Sequence, residues 1–269
     1  MSDIDFLPRR AIVPLVLLLL TVLAWTLPPV AQHPHYHAFA DQRRWLGIPH
    51  AADVLSNLPF ALVGAAMLAA LPGVRARPVE RALLGLTALG LLLTAAASAA
   101  YHLHPADGGL VFDRAAMAVA FAGFLGLAAC RFSEADAALL ALAVLAGAPM
   151  ALFAWRHDGN LMPWSVLQGA GTLGLLVFAR ADAPRALPVR WTAVVGLYAL
   201  AKLLELGDHA VWIATHGTVA GHALKHAVAA FAALPVLAAM TATRARPHNA
   251  AAPEGALSMT TTTRGGQPS

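Results

Sequence analysis

The chain has 269 residues, 59% of them hydrophobic and 12% charged, with a mean hydropathy of +0.65. Soluble domains carry about 25% charged residues, so the composition excludes a water-soluble globular protein, and a pI near 9.8 is no sign of nucleic-acid binding here. The single cysteine, Cys130, excludes an internal disulfide and reads as a small apolar packing residue.

A helix that spans a bilayer needs about 20 mostly apolar residues. Eight runs meet that need: 11–31, 52–72, 82–103, 113–130, 136–154, 163–179, 190–213 and 219–241. Leu, Ala and Val dominate them, which predicts helices rather than a barrel. Residues 1–31 open with Arg9-Arg10 before an apolar core and read as an N-terminal anchor or a signal-like span. The core is long and no Ala-x-Ala follows, which favours the retained anchor. Residues 32–51 form an outer loop, and its His33-Pro34-His35-Tyr36-His37 cluster reads as exposed. Residues 52–242 hold seven further spans, joined by segments such as Leu71-Pro72-Gly73, Asp107-Gly108-Gly109 and the stretch from Arg180 to Pro188. The tail, 243–269, is Ala, Thr, Gly and Pro without periodicity and reads as disordered. The expected fold is an all-α polytopic membrane helical bundle, a seven-span core plus one N-terminal span.

Eight spans sort the cationic loop residues into two unequal sets. One side carries 12 arginines and the other 4: Arg43, Arg44, Arg114 and Arg156. Cytoplasmic loops hold the excess of positive charge, so both termini are expected in the cytoplasm of a multi-pass protein, plausibly of a bacterial inner membrane. Lys202 and Lys225 remain inside spans. On this map His102, Asp113, His222, His226, Glu205, Asp208 and His209 all fall towards the non-cytoplasmic face.

Ionisable residues in a membrane are costly and mark function by default. His222 and His226, four apart, stand one turn above each other on one helical face. Histidines at that spacing are a zinc-binding device. His102 ends the third span, with Ser98 one turn deeper and Asp113 opening the fourth. Three neutral imidazoles around zinc leave a fourth position for water, whose pKa falls to about 7. Asp113 can take a proton or orient a ligand, and Ser98 can donate to a developing oxyanion. The combination suits hydrolysis of a carbonyl substrate, and its place in a bilayer points to a lipid amide or ester. Each member also has a plainer reading: His102 as an interhelical hydrogen-bonder, Ser98 as a small packing residue, Asp113 as a helix cap. Lys202, Glu205 and Asp208 read as a mutually neutralising ion cluster with His209 alongside. Lys225 reads as pointing away from the ligand face, towards headgroups.

These residues resemble the alkaline ceramidases and their bacterial relatives, within the wider superfamily of seven-span metal-dependent membrane hydrolases. The resemblance covers about 41–240 and rests on Ser98-x3-His102, Asp113, His222-x3-His226 and the Ser56-Asn57 block of the first core helix. It implies zinc held by His102, His222 and His226, with Ser98 and Asp113 as catalytic neighbours, and hydrolysis of the N-acyl amide of ceramide or a related lipid. It also implies a calcium site before the first core helix, with Asp41 as a ligand. Arg43 and Arg44 stand where acidic ligands would help, and His50 stands where the family has Glu, which weighs against calcium.

Two other readings share these residues. The progestin-and-adipoQ-type receptors have the same Ser/His/Asp/His-x3-His logic, and there the zinc would serve a sensor without significant turnover. A transporter could use Lys202, Glu205, Asp208 and His209 as a relay, but no internal repeat is visible. The hydrolase reading requires the ring nitrogens of the two histidine segments to approach within about 5 Å, since zinc holds each ligand at ~2 Å.

Overall fold

The computed structural model describes residues 9–180 and 186–244; the start of the chain, the middle of the Arg180–Pro188 connection and the tail after Arg244 lie outside it. The described residues fold into an all-α bundle in eleven helical segments. Helix α1 is Arg9–Thr26, α2 Ala51–Leu55, α3 Leu58–Ala70, α4 Pro78–Leu103 and α5 Asp107–Ala129. Then follow α6 Glu134–Asp158, α7 Met162–Ala179, α8 Trp191–Leu206, α9 Asp208–Ala214, α10 Gly221–Phe231 and α11 Leu234–Ala242. Six stretches are long and apolar enough to cross a membrane: 51–73, 78–103, 107–129, 134–158, 162–179 and 221–242.

Two of the expected eight runs fall outside that set. Helix α1, Arg9–Thr26, has 18 residues and stops before Pro28 and Pro29. The seventh span, expected over 190–213, is broken at Gly207, whose φ of −93° and ψ of 19° leave the helical region. With 16 residues, α8 rises about 24 Å, less than the ~30 Å hydrocarbon thickness.

Two other spans break in ways that matter for the site. Proline at the second position of α3 (Pro59) and of α11 (Pro235) interrupts the backbone ladder just upstream. The first break frees Ser56 and Asn57 between α2 and α3. The second kinks the last span at Ala232-Ala233. At the start of α5 the expectation fails in the other direction. Asp107-Gly108-Gly109, read as a connection, is the first turn of the helix. Gly109 lies so close to Tyr101 that a Cβ would stand 3.2 Å from its ring. Asp113 is therefore inside α5 rather than at its N-terminus and does not cap it.

The centre of the bundle is the α4–α5 pair, which approaches through small residues, as membrane helices do. A Cβ on Gly90 would stand 2.1 Å from the backbone nitrogen of Ala120, and one on Gly123 would stand 2.7 Å from that of Thr87. Helices α3 and α6 flank this pair, α10 packs between α3 and α8, and α1 lies outside against α7. Cys130 is free and buried, as a packing residue should be.

The connections gather at two ends. At one, Arg77 reaches the Cys130 carbonyl, Glu80 accepts from the Leu187 amide, and Val74 pairs with Arg244. At the other, the 27–50 loop meets the α4–α5, α6–α7 and α9–α10 connections through Gln32–Asp107, Leu161–Val30 and Arg43–Gly217 contacts. This is the alternation of loops assumed in the charge count.

Candidate metal centre

Three breaks in regular helix build the site. Gly207 ends α8 and turns Asp208 inwards. Asp208 Oδ1 accepts the His222 backbone N–H at 2.8 Å, and Oδ2 accepts that of Ala40 at 2.9 Å. The first four N–H groups of a helix have no partner within it, so this carboxylate satisfies one of them at the N-terminus of α10, where negative charge is also favoured by the dipole. Gly221 permits the approach, since a Cβ there would meet the Leu204 carbonyl at 2.4 Å and Asp208 Cα at 2.8 Å. The first turn of α10 is thus fixed against the α8–α9 break, and with it both of its histidines.

His222 and His226 meet His102 from the last turn of α4. One ligand nitrogen from each of the three lies within 4.8 Å of the others, inside the limit set above. His222 Nε2 and His102 Nε2 are 3.3 Å apart. Two nitrogens held tetrahedrally at 2.0–2.1 Å from one zinc ion are about 3.3 Å from each other. One pair already has ligand spacing, and the third nitrogen lies within 4.8 Å of both. The three side chains are buried, at 1%, 7% and 5% exposure for His102, His222 and His226. The donor set, three imidazoles with one coordination position left over, fits zinc.

Ser56 orients one of these rings. Its hydroxyl donates to the Asp53 carbonyl at 2.9 Å, and its oxygen lies 2.8 Å from His226 Nδ1. The single hydroxyl proton is spent on the carbonyl, so the oxygen accepts from Nδ1–H. This tautomer leaves the His226 Nε2 lone pair free for a metal. The buried His102 Nδ1 has no partner. Ser56 was noted in the sequence only as part of a family-like block.

Phe39 closes the site from the loop side. Its ring centroid is 4.3 Å from that of His222 and 4.7 Å from that of His102. The loop that carries it is tied down along its length. His37, read as part of an exposed cluster, bonds the Tyr101 hydroxyl at 2.7 Å and Asp107 at 3.0 Å. Arg43 bonds both oxygens of Asp41 and the carbonyls of Gly217 and Thr218.

That last set speaks to calcium. Asp41 is buried, and both its oxygens are engaged by one guanidinium. Burial would raise its pKa, but the Arg43 side chain, backbone amide and charge hold the carboxyl below its ordinary 3.8. A permanent cation already neutralises the expected ligand, and the residues here do not fit calcium. Asp53, fully buried in the first turn of α2, has two carboxylate oxygens without partners; no sequence signal beyond its acidity marked it.

Compared with family models, curated proteins and solved structures, the chain matches none. The site therefore stands on its own geometry. Beside His226 a cleft of about 130 Å³, partly open to the outside, runs between α4, α5, α7, α8 and α10. His226, Ser98 and Asp113 line it together with apolar side chains such as Leu91, Phe124, Leu175 and Val194. Ser98 stands close to the Asp113 carboxylate, whose Oδ1 is buried without a partner among the described residues. Of the residues singled out in the sequence, Ser98, Asp113 and His226 line the cleft, and His102 and His222 join it through the histidine cluster.

The polar group of α8 departs from expectation. Lys202 does pair with Glu205, but Asp208 is not part of that cluster, and His209 is 67% exposed. Lys225 does not point to headgroups; its Nζ donates to Glu205 Oε1 at 2.6 Å.

Proposed function

We propose that this protein is a zinc-dependent membrane hydrolase that cleaves the N-acyl amide bond of ceramide or a related lipid. One observation carries the reading: three buried histidines whose ligand nitrogens lie within 4.8 Å of one another are covered by Phe39 on the loop side, and one of them, His226, opens onto a mostly apolar cleft. A site closed to the loops and open to an apolar space suits a substrate that arrives from the bilayer.

His102, His222 and His226 would hold the ion. When bound, zinc supplies Lewis acidity and lowers the pKa of a water on its open face. Ser56 keeps His226 in the ligating tautomer. Asp113 offers an unpartnered oxygen that can accept a proton and return it to the leaving amine. Ser98 orients that carboxylate and can turn its hydroxyl to a carbonyl oxygen as charge builds there. The apolar walls hold the acyl chain and exclude water. Three nitrogen donors, rather than a closed set of four protein ligands, support turnover over the receptor reading.

Elemental analysis of the purified full chain, paired with a turnover screen over ceramides and other N-acyl lipids, tests the proposal. The expected result is one zinc per chain and fatty-acid release that Asp113→Asn abolishes without loss of zinc. Zinc-loaded protein that hydrolyses none of these lipids would defeat it.

A further inference from the structure

The cleft carries a charged group that amide hydrolysis leaves unused. Lys225 and Lys202 donate to the two oxygens of Glu205 at 2.6 and 2.7 Å. All three side chains line the cleft together with His226 and Asp113. Their exposure rises along the row, from 17% at Lys225 to 25% at Glu205 and 46% at Lys202. The row runs from Lys225, the chain neighbour of His226 in α10, to the more exposed Lys202 in α8.

One carboxylate faces two ammonium groups there. Each ammonium has three donors, and Glu205 is the one hydrogen-bond acceptor found for each among the described residues. Charge in an apolar setting is costly unless it is paired and its hydrogen bonds are filled. Lys225 also faces the Asp113 and Asp53 carboxylates, and Arg114 is turned to Gln32 and to the rings of Trp155 and Tyr36. Lys202, the most exposed of the three, has Glu205 as its one acceptor among the described residues, so its remaining donors are open to a ligand in the cleft.

We infer that Lys202 and Lys225, bridged by Glu205, receive an acidic headgroup, so that the preferred substrate is an N-acyl lipid whose amine half carries a carboxylate or phosphate. This rests on the hydrolase reading and deepens it. The acyl chain occupies the apolar end, the amide lies at His226, and the acid meets the lysines with charge-assisted hydrogen bonds. Ceramide itself, with a neutral head, leaves the row unfilled.

The test uses the full chain, zinc-loaded, in phosphatidylcholine nanodiscs. N-palmitoylglycine and N-palmitoylethanolamine share the acyl chain and differ in head charge. The acid should have the higher kcat/KM, mainly through KM. Lys202→Gln should lower the acid-to-neutral ratio about tenfold, as loss of one charge-assisted hydrogen bond implies, and Lys202→Arg should keep it. Equal kcat/KM for the two lipids, or a ratio that Lys202→Gln leaves alone, overturns the inference. The released fatty acid offers the same carboxylate chemistry. If Lys202→Gln relieves inhibition by palmitate but spares the substrate ratio, the row is a product site and the inference fails. Binding of the two lipids, measured on the same discs, separates the two proposals. Preferential, Lys202-dependent binding of the acid without hydrolysis of either lipid removes the hydrolase and keeps the receptor for an acidic group. Hydrolysis without preference does the reverse.

Discussion

Ser56→Ala is the sharpest perturbation of the metal centre because it replaces none of the three histidines. The hydroxyl lies 2.8 Å from His226 Nδ1, and the ring is buried at 5% exposure. Alanine removes the acceptor from Nδ1–H. An unsatisfied buried donor costs about 1–3 kcal/mol. The imidazole can avoid that cost by moving its proton to Nε2, and that tautomer cannot ligate through Nε2. Either outcome weakens the metal. Loss of an orienting partner typically lowers affinity about 10–100-fold, which is ~1.4–2.7 kcal/mol and agrees with the donor penalty. Zinc competition against a chromophoric chelator, on detergent-solubilised protein of unchanged helicity, reads the effect. A dissociation constant within about twofold of wild type would show that Ser56 does not hold the ring and would refute the tautomer assignment.

Asp208→Ala should cost several kcal/mol, about 1.5–3 for each of two charge-assisted bonds, and should lower zinc occupancy because the first turn of α10 loses its anchor; thermal unfolding with metal analysis checks both, and full occupancy would contradict the anchoring role. Gly90→Leu should fail to give monodisperse protein, and even Gly90→Ala should lose at least ~1–3 kcal/mol to overpacking, since its Cβ would overlap the Ala120 backbone; an unchanged denaturation midpoint would mean that α4 and α5 pack differently. The Asp41–Arg43 pair sets an acid limit on the 27–50 loop. With its folded pKa below the ordinary 3.8, Asp41 stabilises the loop fully above that value and progressively less as pH falls through the lower folded one. Loop amide exchange should therefore rise only below about pH 4, and Arg43→Ala should remove that step. Millimolar calcium should leave the wild-type melting temperature unchanged, and a clear upward shift would show that Arg43 does not preclude the ion.

The sequence pointed to the histidine cluster because histidines four apart, and a Ser four residues before a His, depend only on helical periodicity, which survives local bending. It also placed them at one end of the bundle, because loop alternation depends on span count and tolerates errors of several residues at each boundary. Periodicity gives no access to contacts created where a helix stops. Asp208 looked like a third member of an α8 ion row because 202, 205 and 208 are spaced for one helix. Gly207 ends that helix, and the carboxylate instead anchors α10 and the Phe39 loop. Ser56 gained its role the same way, in the gap before Pro59. Lys225 was read outwards on the assumption that a membrane lysine seeks headgroups; Glu205, 20 residues earlier, gives it a nearer partner. The regular helices thus carry the metal ligands, and the interruptions position them. A substitution that restores helix across one of these breaks, such as Gly207→Ala, should therefore disturb zinc binding more than most changes to the apolar walls. Asp208 must leave the α8 helical path to reach the amides of Ala40 and His222, and the turn at Gly207 is where the path changes.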